Sequence, residues 1–261
     1  MKRFCALLLT LCMFVVTGIA AESWFCSDCE MEVNGNFCSN CGKQNTAAQI
    51  SDGSAFKLEV DFKENIVFSK YDVDLLIDGK KQDVIGHGEH YANTFNLSSG
   101  VHTIRFVSVE KDNVYGSVIF NANKGGSLKC EISAYRNRVE IDSVNTNTDY
   151  IVSGQLGTYF VGLKSAYTQD NVLFLVFDFS HNENSAQAFY LNIGVDCFQK
   201  GISCDPAYSF SETNSTKEIK KGVTIEVLHK IELDNTSPVE IEIYQMFSTG
   251  DNRLTTTIPL K

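Results

Sequence analysis

"YDVDLLIDGK", residues 71–80, decides the fold class. Tyr71, Val73, Leu75 and Ile77 alternate with Asp72 and Asp74 and run into Asp78-Gly79. Side chains on a strand point to opposite faces in turn, so this period of two predicts one buried and one wet face. Asp-Gly supplies the positive φ angles of a type I′ hairpin turn, so the strand must fold back on itself. The same pattern spreads in both directions. Upstream, Phe56, Leu58, Val60 and Phe62 alternate with Lys57, Glu59 and Asp61. Downstream come "VHTIRFVSV", "VYGSVIF" and "SLKCEISA", broken at Ser99-Gly100 and Gly125-Gly126, and then Val139 and Ile141. No amphipathic helix interrupts them, and short strands with regular turns predict a β-sandwich over 55–143.

The stretch "LLIDGKKQDVIGHGEHYANTFNLSSGVHTIRF" resembles the small bacterial surface β-domain called PEGA. The resemblance rests on Asp78-Gly79 and on Gly100-Val101-His102. It implies a structural or adhesive module without catalytic residues.

Asn145 to Asp149 is polar and predicts a junction. Beyond it a second set of strands fills 150–261. "NVLFLVFDF" is almost continuously apolar, as a central strand covered on both sides requires. Phe189, Leu191, Ile193, Val195 and Cys197 predict one strand face. Val223, Ile225, Val227, Ile231 and Leu233 predict the next, then Val239, Ile241 and Ile243, and "LTTTIPL" closes the chain. About seven strands in this length is an immunoglobulin-like count. Cys197 and Cys204 bracket the Lys200-Gly201 turn symmetrically, which sets them opposite each other in a two-residue hairpin. A hydrogen-bonded antiparallel pair has Cα atoms about 5.5 Å apart, within disulfide range. The pair reads as a disulfide or as two core thiols. "VLFLVFDFSHNENSA", "CFQKGISCDPAY", "EIKKGVTIEVLHKIEL" and "SPVEIEIYQMF" together resemble a bacterial extracellular domain of unknown function. That resemblance implies the telokin-like immunoglobulin fold and a secreted or surface-attached protein.

The other end of the chain has different chemistry. Cys26, Cys29, Cys38 and Cys41 are spaced C-x2-C-x8-C-x2-C. Two tight turns of this kind aim four thiolates at one point, which suits a closed, structural zinc site. A module spanning 22–45 cannot bury a core, so metal would supply its folding energy. "CSDCEMEVNGN" followed by "FCSNCGKQ" resembles the short bacterial zinc ribbon, with Glu30 where the first knuckle's glycine would stand. Two disulfides or a redox pair are the alternatives.

The ribbon follows an apparent export signal. Met1-Lys2-Arg3 is basic, Phe4 to Val16 is apolar, and Gly18-Ile19-Ala20 offers small residues to a signal peptidase. A signal peptide over 1–20, cleaved after Ala20 or Ala21, predicts a secreted or cell-surface chain. If the leader stays uncleaved it becomes a membrane anchor. Losing Lys2 and Arg3 takes the formal charge from −10 to −12. That argues against nucleic acid as a partner and against docking on anionic lipid.

No nucleophile elbow, phosphate loop, dinucleotide fingerprint or calcium loop is present, so no enzyme is expected. His87, Glu89, His90 and His102 raise a metal-dependent hydrolase as a remote alternative. Gly86 and Gly88 argue instead for a solvated loop around "HGEH". His181, His229 and the pair Glu240/Glu242 have no partner legible in sequence. Cys130 is in phase with Leu128 and Ile132 and reads as a core thiol. The fold expectation is therefore mostly β: a small zinc ribbon, then two β-sandwiches, the second immunoglobulin-like. The functional expectation is a non-catalytic binding or structural protein with a protein or cell-surface partner and structural zinc. Cell-wall or carbohydrate binding is the alternative, set against a single tryptophan, Trp24.

Overall fold

The computed structural model describes residues 23–26, 31–34, 54–64, 70–111, 113–122, 125–207, 214–248, 250 and 252–260. The leader, the polar stretch 46–53, and Cys29, Cys38 and Cys41 lie outside them. Of the four ribbon cysteines only the backbone of Cys26 is described. It ends β1 (Ser23–Cys26), which pairs antiparallel with β2 (Met31–Asn34), Cys26 opposite Met31.

Among the described residues the body of the protein is mostly β. β3 (Ser54–Lys63), β4 (Val73–Ile77), β5 (Lys80–Ile85), β6 (His90–Leu97), β7 (Gly100–Ser108), β8 (Tyr115–Ala122), β9 (Ser127–Ala134) and β10 (Val139–Asn147) build the first lobe. Alternation decides their burial: β4 reads buried, half-buried, buried along its length. Asp78 and Gly79 turn the chain with φ of 49° and 73°, as their sequence requires. β10 runs on to Asn147, paired with Ser127 of β9. The polar run beginning at Asn145 is thus strand, where a junction was expected. A bulge between Ile141 and Ser143 resets the pleat and puts Val144 against the core. Ladder hydrogen bonds to β9 then hold residues whose own side chains favour no strand.

The second lobe holds β11 (Val152–Leu156), β12 (Tyr159–Gln169), β13 (Val172–His181), a helical turn α1 (Phe189–Asn192), β14 (Ile193–Gln199), β15 (Ile202–Ser203), β16 (Ile225–Glu232), β17 (Val239–Gln245) and β18 (Arg253–Ile258). α1 corrects one expectation. Phe189 and Leu191 do not share a strand face with Ile193. The turn buries Phe189 against Phe177 and Phe179, at ring separations of 5.6 and 5.5 Å, and leaves Leu191 49% exposed.

The lobes are fused. One 8-stranded sheet runs β16-β13-β12-β8-β7-β4-β5, with β11 also on β12. The seam is β12 against β8, from Ser165↔Phe120 to Thr168↔Ser117. β11 and β8 lie end to end along the same edge of β12, changing over at a bulge between Leu163 and Ser165. Two smaller sheets cover opposite faces of this shared one. β10-β9-β3-β6 closes the first core, around Phe56, Phe62, Phe106 and Phe120. β15-β14-β17-β18 closes the second, around Phe177, Phe179, Phe189 and Ile241. β8 serves both: Val118 and Phe120 enter the first core, Ile119 the second. Each fully buried Phe contributes roughly 1.5–3 kcal/mol, so both cores are substantial.

Candidate functional site

Four turns converge at one end of the shared sheet. They are the β7–β8 turn with Asn113, the β9–β10 turn with Asn137 and Arg138, the β12–β13 turn with Asp170 and Asn171, and the β16–β17 loop with Asn235 and Thr236. Between them lies an open cleft of about 340 Å³, with Tyr115, Thr168 and Gln169 in its walls and Leu233 and Leu260 at its apolar parts. The first two turns come from the first lobe and the last two from the second, so only fusion of the lobes makes the cleft.

The two second-lobe turns are held by local conformation and by long-range hydrogen bonds. Asp170 and Asn171 take φ of 50° and 62°, the left-handed region that Asn and Asp tolerate better than other side chains. Glycine would hold that geometry more easily, yet here both positions carry polar side chains facing the cleft. The Leu233 amide donates to the Asn171 carbonyl at 2.7 Å and ties the two second-lobe turns together. Asn235 accepts from the Ser237 amide at 2.8 Å, an Asx turn. Behind it, Gln199 is 2% exposed and fully satisfied. Its amide nitrogen donates to the carbonyls of Asn235 and Ser237, both at 2.9 Å. Its oxygen accepts from the amides of Asp234 (3.0 Å) and Asn235 (3.4 Å).

The lining is electrically quiet. Its charges are Arg138 and Asp170, paired at 3.0 Å, and Arg138 also meets Glu140 at 2.8 Å while stacking over Tyr135. What remains is neutral: the amides of Asn113, Asn137, Gln169 and Asn171. None of these side chains takes a hydrogen bond among the described residues. Each offers two donors and an acceptor to whatever enters.

A second cavity, of about 290 Å³, lies at the other end of β7 and is lined in part by Asp78, Ser98 and His102. Here the structure explains the Asp-Gly and Gly-x-His elements. His102 is 2% exposed; Nδ1 meets Asp78 Oδ2 at 2.7 Å and Nε2 meets the Ser98 carbonyl at 2.8 Å. Both partners are acceptors, so the geometry wants both ring nitrogens protonated. Burial opposes that charge, but the Asp78 carboxylate and the Ser98 carbonyl outweigh it and raise the pKa. Asp78 also accepts from the Thr103 amide at 3.0 Å. The pair clamps the β4–β5 turn onto β7.

The other singled-out residues fall as follows. His87 and His90 do not gather with His102. His90 meets Asp61 at 2.5 Å, His87 packs edge-on to Phe62, and no group of three metal-ligating residues forms among the described ones. His181 Nε2 meets the Ile219 carbonyl at 2.9 Å and Nδ1 accepts from the Glu183 amide at 3.1 Å, so both ring nitrogens are engaged by backbone. Burial lowers His229 to about 4, partly opposed by Asp196. Glu242 is paired with Arg253, and Glu240 is exposed. Cys130 is buried, and burial pushes its thiol far up. Cys197 and Cys204 stand opposite each other as free thiols, the Cys204 amide donating to the Cys197 carbonyl at 2.8 Å.

Sequence reasoning missed the cleft residues. The signal was present in "KDNV", "YRNR", "QDNV" and "LDNT", four turns each carrying Asn after a charged residue. Asn is common in turns for local reasons, and only the fold shows that these four meet.

Residues 139–245, less than half of the chain, match the model of a domain of unknown function (DUF5067). The chain matches no curated protein. Among solved structures it is similar to "Structure of a putative lipoprotein from Staphylococcus aureus subsp. aureus NCTC 8325". That likeness has 10% identity, 50% of this chain and 93% of that chain covered, and a TM-score of 0.30, too low to inform the fold or the site. Among the described residues no helix is long and apolar enough to cross a membrane. By sequence the chain is thus similar, over 139–245, to a domain whose function is unknown.

Proposed function

We propose that this is a non-catalytic binding protein of the cell exterior and that the four-turn cleft is its recognition surface. The observation that carries the reading is the lining itself. The amides of Asn113, Asn137, Gln169 and Asn171 take no side-chain hydrogen bond among the described residues, and they stand on turns around a cleft whose lining charges, Arg138 and Asp170, are paired. A preformed concave site with a few placed polar groups suits binding. Neutral amides match ligands whose groups both donate and accept, and paired charges repel ions of either sign equally little. This favours an uncharged polyhydroxylated ligand, such as a neutral cell-surface glycan, over an acidic or basic one. The export reading rests on the leader, residues 1–20. The PEGA-like and immunoglobulin-like assignments of the lobes rest on the sequence resemblances.

Immobilised neutral polysaccharides, probed with the exported chain and with an Asn137→Ala/Asn171→Gly double variant, test the reading. Binding by the wild type that falls at least tenfold in the variant supports it. Absence of binding, or binding indifferent to the change, refutes it. Within the same reading, Cys26, Cys29, Cys38 and Cys41 hold one structural zinc. Native mass of the exported chain checks this: one zinc, lost in Cys38→Ser, is expected, whereas a metal-free chain whose peptides carrying Cys26, Cys29, Cys38 and Cys41 are together four hydrogens light would mean two disulfides there instead.

A further inference from the structure

We propose that Cys197 and Cys204 join as a disulfide while the chain folds outside the cell, and that this bond fixes the second-lobe wall of the cleft. The proposal starts from register. β14 pairs β15 at Phe198↔Ser203 and Gln199↔Ile202, around Lys200 and Gly201 at φ of 53° and 77°. The next pair outward is Cys197 and Cys204, hydrogen-bonded through the backbone at 2.8 Å. Such pairs hold their Cα atoms about 5.5 Å apart on the same side of the sheet, within disulfide range. Both side chains turn into the second core, 3% and 9% exposed.

The hairpin these cysteines close is also the support of the cleft. Gln199, two residues from Cys197, carries four hydrogen bonds to residues 234–237. Asp205, next to Cys204, accepts from the Glu232 amide at 2.8 Å. Motion of the hairpin therefore reaches Asn235 and Ser237, which flank Thr236, directly. A bond across its base would hold both legs at once.

Burial dictates when the bond forms. Thiolate is the reactive species, and burial raises both thiols, Cys197 furthest; Asp234 and Asp205 add to the rise at Cys204. Once packed, the pair is inert. On the unfolded chain both are ordinary thiols. There an external disulfide of the glutathione class suffices as oxidant. The Cys204 thiolate attacks one sulfur of the oxidant, forming a mixed disulfide and releasing one thiol. The Cys197 thiolate then displaces the second thiol and closes the S–S bond. Two cysteine thiols are oxidised, one oxidant disulfide is reduced, and the two protons leave on its two thiols.

The test is refolding of the full chain from urea in a glutathione disulfide/glutathione buffer, then alkylation in denaturant and peptide mapping. The expected product is a linked peptide pair containing Cys197 and Cys204, two hydrogens lighter, with Cys130 alkylated as the buried cysteine without a partner. Adding the same buffer after reduced folding should oxidise the pair at least tenfold more slowly. In the linked form the Asp234 and Asn235 amides should exchange with deuterium at least tenfold more slowly than in reduced protein, and Cys204→Ser should show no difference between buffers. Closing an eight-residue loop should also lower the unfolding constant roughly 50-fold. Alkylation of both cysteines after oxidative refolding would overturn the proposal. A bond that forms without slowing exchange at 234 and 235 would overturn its link to the cleft.

Discussion

His102 shows at residue scale how burial and charge are reconciled. Its imidazole is enclosed, yet both nitrogens face acceptors, so the folded state favours the proton. A pKa raised on folding contributes stability that is fully present below the unfolded value, near 6.5 for histidine, and is lost as pH rises through the folded value. The urea midpoint of the wild type should therefore decline as pH is raised from about 6 toward 9, and this decline should be reduced in His102→Gln. A midpoint equally sensitive to pH in both would sink the clamp. Asp78→Ala removes the partner of a buried cation and strands the Thr103 amide, at a cost of about 3 kcal/mol by chemical denaturation. Asn171 behaves oppositely. Asn171→Gly deletes a cleft amide at a left-handed position where glycine is at ease, so stability should stay within about 1 kcal/mol while ligand binding falls. Asp78 and His102 were legible as a turn and a strand motif. Their contact was not, because 24 residues separate them and only the pairing of β4 with β7 unites them.

At the scale of elements, sequence period gave the strands and tertiary contacts gave their exceptions. The alternation of β3 and β4 and the continuous apolarity of β13 told directly which faces are covered. β10 past Asn145 and α1 did not follow their local pattern, because a bulge and a helical turn changed the phase. The seam of β8 with β12 is the clearest case. Val118, Ile119 and Phe120 are three consecutive apolar residues, which one-sided burial does not need, and the structure shows each face entering a different core. The seam also contains a buried hydrogen bond between Ser117 and Thr168 at 2.6 Å. Ser117→Ala should cost about 1–3 kcal/mol by leaving Thr168 unpaired, and Ser117→Ala/Thr168→Val should recover much of that in a double-mutant cycle. Next to it, a Cβ on Gly116 would come within 2.4 Å of the Val139 carbonyl oxygen of β10. Gly116→Ala must push two strands apart and should destabilise by about 1–3 kcal/mol in a denaturant titration; an unchanged midpoint would contradict the close crossing of β8 and β10.

At the scale of the molecule, the cleft exists because two cores share one sheet. Its walls belong to different lobes, and the β12–β13 turn beside the seam is one of them. The sequence showed two runs of strands and a polar stretch between them, the usual marks of separate domains. It did not show the fusion, because inter-strand pairing across about 50 residues leaves no local pattern. The consequence is thermodynamic. Differential scanning calorimetry of the full chain should show the body unfolding in one transition. At roughly 0.7 kcal/mol per residue near 60 °C, the body of residues 54–260 should give a van't Hoff enthalpy of about 140 kcal/mol, equal to the calorimetric one. Two transitions, or a van't Hoff enthalpy near half the calorimetric value, would mean that the lobes unfold independently, and a cleft that needs both would not hold together as described.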